Sequence, residues 1–273
     1  ATDTRRRFAV VGSGPAGMSA AVVLAERGHE VDLFEAEADI GGQLNMAKVI
    51  PGKEEFHETL RYFHTRIKET GITLRLHTRA EVSDLNGYDE VVIATGVGPR
   101  SIELPGSSHP KVLGYTEVLQ GAPVGPRAAI IGAGGIGFDV AEYLVAAEPG
   151  LAPDPQRWMR EWGVDSASNA PGGLVRPEPP PPARELWLLQ RSAGRLGTRL
   201  HKTTGWVHRS RLKARGVQML GGVSYVRIDD AGLHLRIGSE AKVLPVDKVI
   251  VCAGQQSHRD LYNALQKQGI TAH

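Results

Sequence analysis

Residues 7–37 have the sequence RFAVVGSGPAGMSAAVVLAERGHEVDLFEAE, and the pattern within this stretch decides the fold. Residues 8–11 form a short apolar run typical of a buried parallel strand, and residues 18–27 have the apolar spacing of a helix. A second apolar run at residues 31–34 predicts another strand, which is followed by the acid Glu35. This order of strand, glycine-rich turn, helix, strand and acid predicts a dinucleotide-binding βαβ unit.

Three glycines of the first glycine turn (residues 12–17, GSGPAG) have separate tasks. Gly12 permits the tight turn, Gly14 lets a pyrophosphate approach the backbone, and Gly17 lets helix and strand pack closely. The helix N-terminus then offers N–H groups and a partial positive charge to phosphates. Glu35 follows Gly17 by 18 positions, where an acid can accept hydrogen bonds from both hydroxyls of an adenosine ribose. Its charge would repel a 2′-phosphate, so FAD or NAD is predicted here rather than NADP.

Two further stretches favour FAD over NAD at this turn. Residues 40–44, IGGQL, follow Glu35 where flavin-disulfide-reductase-like proteins place a glycine pair against the cofactor. Residues 91–96, VVIATG, form an apolar strand with the ATG ending that also marks that superfamily. Small residues at these places let the backbone run beside the FAD.

The same pattern returns in RAAIIGAGGIGFDVAEYL, residues 127–144, which contains the second glycine turn (residues 132–137). The next strand does not follow at once, because residues 148–184 hold nine of the seventeen prolines. We predict that this stretch is a surface insertion without a regular helix or central strand. Residues 185–190 then resume as a strand, ending in Arg191.

Arg191 is predicted to bind the adenosine end of the second nucleotide. It lies 54 positions after Gly137, and setting aside the 37 inserted residues leaves a spacing close to that of Glu35. A guanidinium can make paired, charge-assisted hydrogen bonds to a 2′-phosphate, so NADPH is favoured over NADH. The alternative is that Arg191 is one of several surface arginines, with Arg195 and Arg199 nearby.

The chain is expected to form two domains. Residues 217–220, 223–228 and 233–237 have strand patterns, and residues 249–255 repeat the ATG-type ending as VIVCAGQ. We therefore predict an α/β fold with two Rossmann-like dinucleotide-binding domains, similar to flavin disulfide reductases, the NADP domain being inserted in the FAD domain. The predicted boundaries are 1–106 and 246–273 for the FAD domain and 107–245 for the NADP domain, with its proline-rich insertion at 148–184.

Composition limits the other classes of function. Of 273 residues, 41% are hydrophobic and 23% charged, with a net charge of +2, which gives no reason to expect a nucleic-acid or membrane partner. One cysteine, Cys252, points to a reducing, cytoplasmic setting and excludes a CxxC redox disulfide. Cys252 lies within an apolar strand, so a buried, inert thiol is expected. The segment 201–209 holds two histidines, but with no acid or cysteine grouped beside them we expect a basic or partner-binding surface rather than a metal site.

Several stretches together resemble the bacterial NADPH-dependent 2,4-dienoyl-CoA reductase family. They are GGQLNMAKVIPGKEEFHETLRYF, HPKVLGYTEVL, AIIGAGGIGFDVAEYL, EWGVDS, KTTGWVHRSRLKARGVQML, GVSYVRIDD and VCAGQ. The resemblance covers that family's C-terminal half. It implies electron transfer from NADPH to FAD, then to an iron–sulfur cluster and FMN in an N-terminal barrel similar to old yellow enzyme, and finally to 2,4-dienoyl-CoA in fatty acid β-oxidation.

Two departures from that family matter. The barrel, its cluster cysteines and its catalytic acid have no counterpart here, and residues 271–273 stand where relatives continue into a glycine–aspartate segment over the FAD. The abrupt start at Ala1 leads us to expect a processed chain or the later part of a longer one. Two alternatives stay open: a nucleotide-binding scaffold without a redox role, as in the related trimethylamine dehydrogenase with its ADP, or an NADPH–flavin reductase that serves a different protein partner.

Hydride transfer between nicotinamide and flavin requires orientation and exclusion of water but no acid or base, so no catalytic residue is predicted. The residues predicted to bind the two cofactors are Gly12, Ser13, Gly14, Pro15, Ala16, Gly17, Glu35, Ala36, Gly42, Gln43, Ala94, Thr95, Gly96, Gly132, Gly134, Gly135, Ile136, Gly137, Gln190, Arg191, Ala253 and Gly254.

Overall fold

The computed structural model describes residues 4–146 and 154–273. Its strands are β1 (Arg7–Val11), β2 (Glu30–Phe34), β3 (Thr73–Arg75), β4 (Glu90–Ile93), β5 (Val97–Pro99), β6 (Val112–Gly114), β7 (Arg127–Ile131), β8 (Glu185–Leu189), β9 (Gln218–Leu220), β10 (Val223–Asp229), β11 (Gly232–Ile237), β12 (Glu240–Leu244), β13 (Lys248–Val251) and β14 (Gln255–Ser257). Its helices are α1 (Pro15–Glu26), α2 (Leu44–Ala47), α3 (Phe56–Glu69), α4 (Tyr115–Leu119), α5 (Gly135–Val145), α6 (Pro155–Trp162), α7 (Gly205–Ala214) and α8 (Asp260–Lys267). Among the helices of these described ranges, none is long and apolar enough to cross a membrane.

The chain divides into two compact units. Unit 1 comprises residues 1–48, 52–98 and 255–273, and unit 2 comprises residues 49–51 and 99–254. Each unit is built on a parallel sheet, which confirms the predicted α/β fold class.

The sheet of unit 1 has the strand order β3-β2-β1-β4, all parallel. Its central strands are apolar on both faces because both faces are covered. On one face Val10 and Leu33 are buried with Met18 of α1. On the other face Val11 lies in a core that includes Leu265 of α8. Residues 271–273 extend beside β4, where Ala272 pairs with Val91.

The sheet of unit 2 has the strand order β6-β13-β7-β8-β9, also parallel. Strands β10, β11 and β12 form a separate antiparallel sheet. Its buried residues, including Leu233 and Leu235, share one core with Ile131 and Leu189 of the parallel sheet. Helix α5 contacts β7, β8 and α7, and it begins directly at the second glycine turn.

The domain boundaries differ from those predicted. The chain changes unit after residues 98 and 254, rather than after 106 and 245. The cause is β13, which we had assigned to the FAD domain. It pairs with β6 on one side and β7 on the other, and is therefore a central strand of unit 2.

The proline-rich insertion contains a helix, contrary to our prediction. Pro155 is the first residue of α6, a position where its missing N–H costs no hydrogen bond. The Asp154 carboxylate accepts from the backbone N–H of Gln156 at 2.9 Å and of Arg157 at 3.2 Å, and Gly163, with φ of +66°, ends the helix. The prolines thus flank the helix and do not interrupt it. Residues 148–153 of the predicted insertion lie outside the described residues.

Candidate nucleotide-binding sites

The first glycine turn is closed by a backbone hydrogen bond from Gly12 N–H to Phe34 O at 2.8 Å. Gly12 has φ of +100°, and a Cβ atom there would lie 2.4 Å from Ala94 O. A Cβ atom on Gly17 would lie 1.8 Å from Gly12 O. Both positions therefore require glycine, because any side chain would collide with backbone that cannot move independently.

The outer side of this turn is open. A Cβ atom built on Gly14 meets nothing within 4 Å, and Pro15 and Ala16 are exposed at the start of α1. The helix begins without a side-chain cap and without an acid in its first turn. The partial positive charge of its N-terminus is thus left for an external anion, which fits the pyrophosphate of a dinucleotide.

Glu35 is buried at the end of β2, with 8% of its surface exposed. Its Oε2 accepts from Ser13 N at 2.9 Å and from Ser13 Oγ at 2.5 Å, and its Oε1 accepts from Glu37 N at 2.9 Å. Burial alone would raise the pKa of the Glu35 carboxyl, but these hydrogen bonds and one from the Ala36 backbone outweigh it, so the pKa is lowered. Glu35 is therefore ionised at neutral pH and tied to the first glycine turn.

The glycine pair after Glu35 lies against the first glycine turn. Gly41 N–H donates to Ser13 O at 2.9 Å, and a Cβ atom on Gly42 would lie 3.1 Å from Gly14 Cα. Gln43 donates from Nε2 to Val97 O at 3.0 Å. The structure thus brings the predicted residues Gly42 and Gln43 to the same place as the turn.

The ATG segment after β4 lies on the other side of the turn. Ala94 N–H donates to Val11 O at 2.8 Å, and Thr95 Oγ1 donates to His258 O at 2.9 Å. Gly96, with φ of +70°, accepts at its carbonyl from His258 N–H at 3.0 Å. His258 was missed from sequence because no motif links it to a segment more than 160 positions earlier.

The second glycine turn repeats the geometry of the first. Gly132 N–H donates to Leu189 O at 2.9 Å, and Gly132 has φ of +109°. A Cβ atom on Gly137 would lie 1.9 Å from Gly132 O, whereas one on Gly134 or Gly135 meets nothing within 4 Å. Helix α5 also begins without a side-chain cap or an early acid. The partial positive charge at this second helix N-terminus is therefore also left for an external anion, and the half-buried Ile136 lies in its first turn.

The segment after β13 belongs to this second turn. A Cβ atom on Gly132 would lie 2.3 Å from Cys252 O and 3.4 Å from Ala253 N. We had expected Ala253 and Gly254 in the FAD domain because their sequence repeats the ATG-type ending. The repeat is real, but it stands beside the second glycine turn as Ala94 stands beside the first.

When the two units are compared strand by strand, the residue of unit 2 equivalent to Glu35 is Gln190 rather than Arg191. Phe34 and Leu189 both accept from the first glycine of their turns, so the residues that follow them correspond. Arg191 is one position further on and corresponds to Ala36. Counting across the insertion had set Arg191 level with Glu35, which was wrong by one position.

Arg191 is exposed, and further cations follow it along the chain. The group consists of Arg191, Arg195, Arg199, Lys202 and Arg209. Within residues 4–146 and 154–273, none of these side chains forms an ion pair with a carboxylate. The Nε atom of Arg209 is also buried without a hydrogen-bond partner in the described structure. Cations without a carboxylate partner in the described residues thus occur in the segment between β8 and the middle of α7, and they fit an anionic substituent on the nucleotide.

A buried acid between α5 and α7 was not predicted. Glu142 is 3% exposed and accepts from Arg211 NH1 at 2.9 Å, and its other oxygen lies 2.6 Å from His208 Nδ1. The hydrogen bond that the His208 imidazole donates to Glu142 raises the pKa of His208. The sequence prediction that no acid stands near these histidines was therefore wrong for His208. Within the described residues no group of three metal-ligating side chains occurs.

Cys252 is buried at the end of β13, as predicted. Burial, together with the charge of Asp139, raises the pKa of its thiol to about 12. The thiolate is thus absent at neutral pH, and Cys252 is not a nucleophile.

Comparison with known proteins identifies the family. The profile of the pyridine nucleotide-disulphide oxidoreductases matches residues 6–272. The chain belongs to this family. It is an oxidoreductase domain of a family that binds FAD and NAD(P)H. Because the chain has one cysteine, the disulphide chemistry in the family's name is not available within it.

The oxidoreductase is similar to parts of longer proteins. It is 28% identical over 273 residues to a metal reductase of Desulforamulus reducens, covering 97% of this chain and 40% of that protein. It is 25% identical over 264 residues to a cinnamate reductase of Clostridium sporogenes, covering 96% and 34%. The solved structure of a 2-naphthoyl-CoA reductase complex shares the fold, with a TM-score of 0.81, 22% identity, and coverage of 99% of this chain and 36% of that one. The chain thus spans well under half of each.

Proposed function

We propose that the first glycine turn binds FAD, that the second binds NADPH, and that the chain passes hydride from NADPH to FAD. The observation that carries the proposal is the contrast between two turns of the same backbone geometry. The strand after the first turn ends in the ionised Glu35. The strand after the second turn is followed by Gln190 and Arg191, and the cations that come next in the chain have no carboxylate partner within the described residues.

Glu35 supports FAD at the first turn. A carboxylate has about four acceptor positions, and those of Glu35 receive hydrogen bonds from the Ser13 hydroxyl and from the backbones of Ser13, Ala36 and Glu37. A ribose hydroxyl that donates to Glu35 therefore has to displace one of these hydrogen bonds. The negative charge opposes a 2′-phosphate at this site.

The cations after β8 support NADPH at the second turn. A phosphate contact from Arg191 is charge-assisted, and Arg195, Arg199 or Lys202 can add to it. The absence of a carboxylate partner for these side chains in the described part of the chain leaves them available to a nucleotide. NADH has no group that would use this charge.

The protein's part in the reaction is to bind and orient. When bound, FAD supplies the acceptor for the hydride of NADPH. The two helix N-termini hold the pyrophosphates, and the glycine turns admit them close to the backbone. No acid or base is needed, and the Cys252 thiol takes no part.

We further propose that the electrons leave FAD for an iron–sulfur cluster and FMN in a barrel on the same polypeptide or a partner chain, which reduces 2,4-dienoyl-CoA. The resemblance of segments along the chain to the dienoyl-CoA reductases supports this. So does the similarity to a cinnamate reductase, since reduction of a conjugated double bond is shared chemistry. A different protein acceptor is the alternative.

The test is the cofactor content and its redox response. Protein purified or reconstituted with FAD should release FAD on denaturation, and the flavin absorbance should bleach anaerobically with NADPH. Recovery of ADP alone would show a scaffold without a redox role. Bound FAD that NADPH does not bleach would overturn the hydride transfer. With a barrel-containing protein, NADPH oxidation that does not respond to 2,4-dienoyl-CoA would overturn the substrate assignment.

A further inference from the structure

Gln190 and Glu35 occupy corresponding positions, but their side chains form hydrogen bonds in opposite directions. Glu35 accepts from the N–H groups of Ser13 and Glu37. Gln190 donates: its Nε2 lies 3.0 Å from Ser192 O and 3.4 Å from Gly194 O. A carboxylate has no proton for a carbonyl, so glutamate cannot replace glutamine in this arrangement.

The loop that Gln190 holds, residues 191–194, is also fixed from its other side. Gly222 N–H donates to Ser192 O at 2.9 Å. A Cβ atom on Gly221 would lie 2.5 Å from Gly194 O, so the loop rests directly on the backbone of that glycine. The carbonyl of Ser192 thus receives one hydrogen bond from Gln190 and one from Gly222.

Two arginines lie in or directly after this loop. Arg191 lies within it and Arg195 directly follows it. Burial and the like charge of Arg195 lower the pKa of Arg209. The residue at the position of Ser13 is Ala133, which has no hydroxyl to hold an acid in place. Glutamine at position 190 therefore keeps negative charge away from these cations.

We infer that Gln190 is a positioning residue that sets the coenzyme preference of the second site. Its carboxamide donates hydrogen bonds to Ser192 O and Gly194 O, and we call this pair of bonds the clasp. The clasp fixes residues 191–194 and hence the backbone from which Arg191 extends. Its neutrality leaves the site free for a 2′-phosphate. This inference rests on the proposed NADPH function of the second glycine turn.

The test compares Gln190→Met and Gln190→Glu with the wild type in the FAD-loaded protein. Methionine removes the clasp without adding charge, whereas glutamate removes it and adds a negative charge. Calorimetric titration with NADP⁺ and NAD⁺ gives Kd values, and steady-state oxidation of NADPH and NADH with added ferricyanide, which reoxidises the FAD, gives KM and kcat. Gln218→Met changes an exposed glutamine of the same unit and serves as the control.

Both Gln190 variants should lose about tenfold or more in NADP⁺ affinity relative to NAD⁺, and Gln190→Glu should lose the most. NAD⁺ affinity and kcat with NADH should fall much less than NADP⁺ affinity, which a merely misfolded site would not allow, and Gln218→Met should match the wild type with both coenzymes. An unchanged ratio in Gln190→Met overturns the clasp, even if Gln190→Glu loses affinity. A wild type that binds neither nucleotide, or does not prefer NADP⁺, would instead refute the proposed function.

Discussion

At the scale of single residues, the two sites differ most in the charge of the side chains that follow β2 in unit 1 and β8 in unit 2. Glu35 is buried, ionised and fixed by Ser13, whereas Arg191 is exposed and without a carboxylate partner in the described structure. Backbone geometry is shared by both turns and does not distinguish their ligands. Discrimination between nucleotides therefore depends on a few side chains, and these can be tested one at a time.

Arg191→Glu should reverse the coenzyme preference. A charge-assisted contact to phosphate contributes about 1.5–3 kcal/mol, so its loss costs roughly ten- to a hundredfold in affinity, and repulsion adds to this. NADH should be little affected. The measurement is the rate of FAD reduction by each coenzyme at low concentration. Arg236→Glu, an exposed arginine on β11, is the matched control. An unchanged NADPH-to-NADH ratio would assign the phosphate to another cation or refute the preference.

Glu35→Gln should destabilise unit 1 and reduce its FAD content. The lowered pKa means that ionised Glu35 stabilises the fold above its ordinary value of 4.5, and that this contribution is lost as the pH falls through the lower folded pKa. We expect a loss of about 1–3 kcal/mol at pH 7. Urea unfolding followed by circular dichroism at pH 7 and in acid measures it, with the exposed Glu37→Gln as control. Equal acid sensitivity of wild type and Glu35→Gln would contradict the assignment.

At the scale of elements, the contact between α5 and α7 includes a buried acid that no sequence motif predicts. Glu142 stands on a helix whose apolar pattern is otherwise continuous, so its burial could not be inferred before its partners His208 and Arg211 were located. Helix α5 also carries the second glycine turn at its start. The polar contact therefore links α7 to the helix whose N-terminal N–H groups we propose bind a nucleotide.

The stability of unit 2 should fall as the pH rises above about 6.5. Glu142 raises the pKa of His208, so the charged imidazole stabilises the fold below about 6.5 and that contribution is lost as the pH rises through the folded pKa. His208→Gln should have a lower Tm in acid and a flatter pH dependence. Tryptophan fluorescence measures this unit selectively. The exposed His201→Gln should behave as wild type, and a pH response of Tm identical in His208→Gln and wild type would refute the coupling.

The sequence predicted correctly those strands that stand beside a glycine turn, because the motif fixes their place in the fold. The apolar runs before the glycine turns became β1 and β7, and the strand ending in Glu35 became β2. It failed for β13, because an apolar run followed by small residues fits either sheet, and only the pairing decides. It failed for α6 because the number of prolines was weighed without their positions, and for β12 because four of its five residues are exposed.

Within the candidate sites, sequence identified the glycines because their backbone conformation and close contacts exclude other residues. It also identified Glu35, whose spacing is undisturbed. It placed Arg191 one position too early because an insertion of unknown ends cannot be subtracted without the register. The contacts of His258 and Gln255 come from distant parts of the chain, and only the fold brings them to the first site.

At the scale of the whole molecule, the described residues of the insertion add no strand to the parallel sheet of unit 2. Ala183 N–H donates to Val145 O at 3.2 Å, so the described ends on either side of it are adjacent. Arg215 pairs with Glu161 of α6 at 3.2 Å. The insertion is thus an addition to one edge of unit 2.

Deleting residues 148–182 and closing the gap with a short glycine–serine linker should leave both cofactors bound. Loss of the Arg215 pair should lower Tm slightly, while FAD content and the rate of flavin reduction by NADPH stay within about twofold of wild type. Arg215→Gln in the undeleted protein reproduces the loss of the pair and is the control. Loss of flavin or of NADPH-dependent reduction in the deletion variant alone would show that the insertion shapes a site.

The division of unit 1 between both ends of the chain has a consequence for its synthesis. Unit 2 is almost continuous, residues 99–254, and can fold on the ribosome as soon as these residues have emerged. Unit 1 needs Leu265 and Ala272 in its core, so its first 98 residues must wait with an apolar face uncovered while unit 2 is translated. During that interval β4 presents an open edge to other chains, and a chaperone that shields it would raise the yield of native protein.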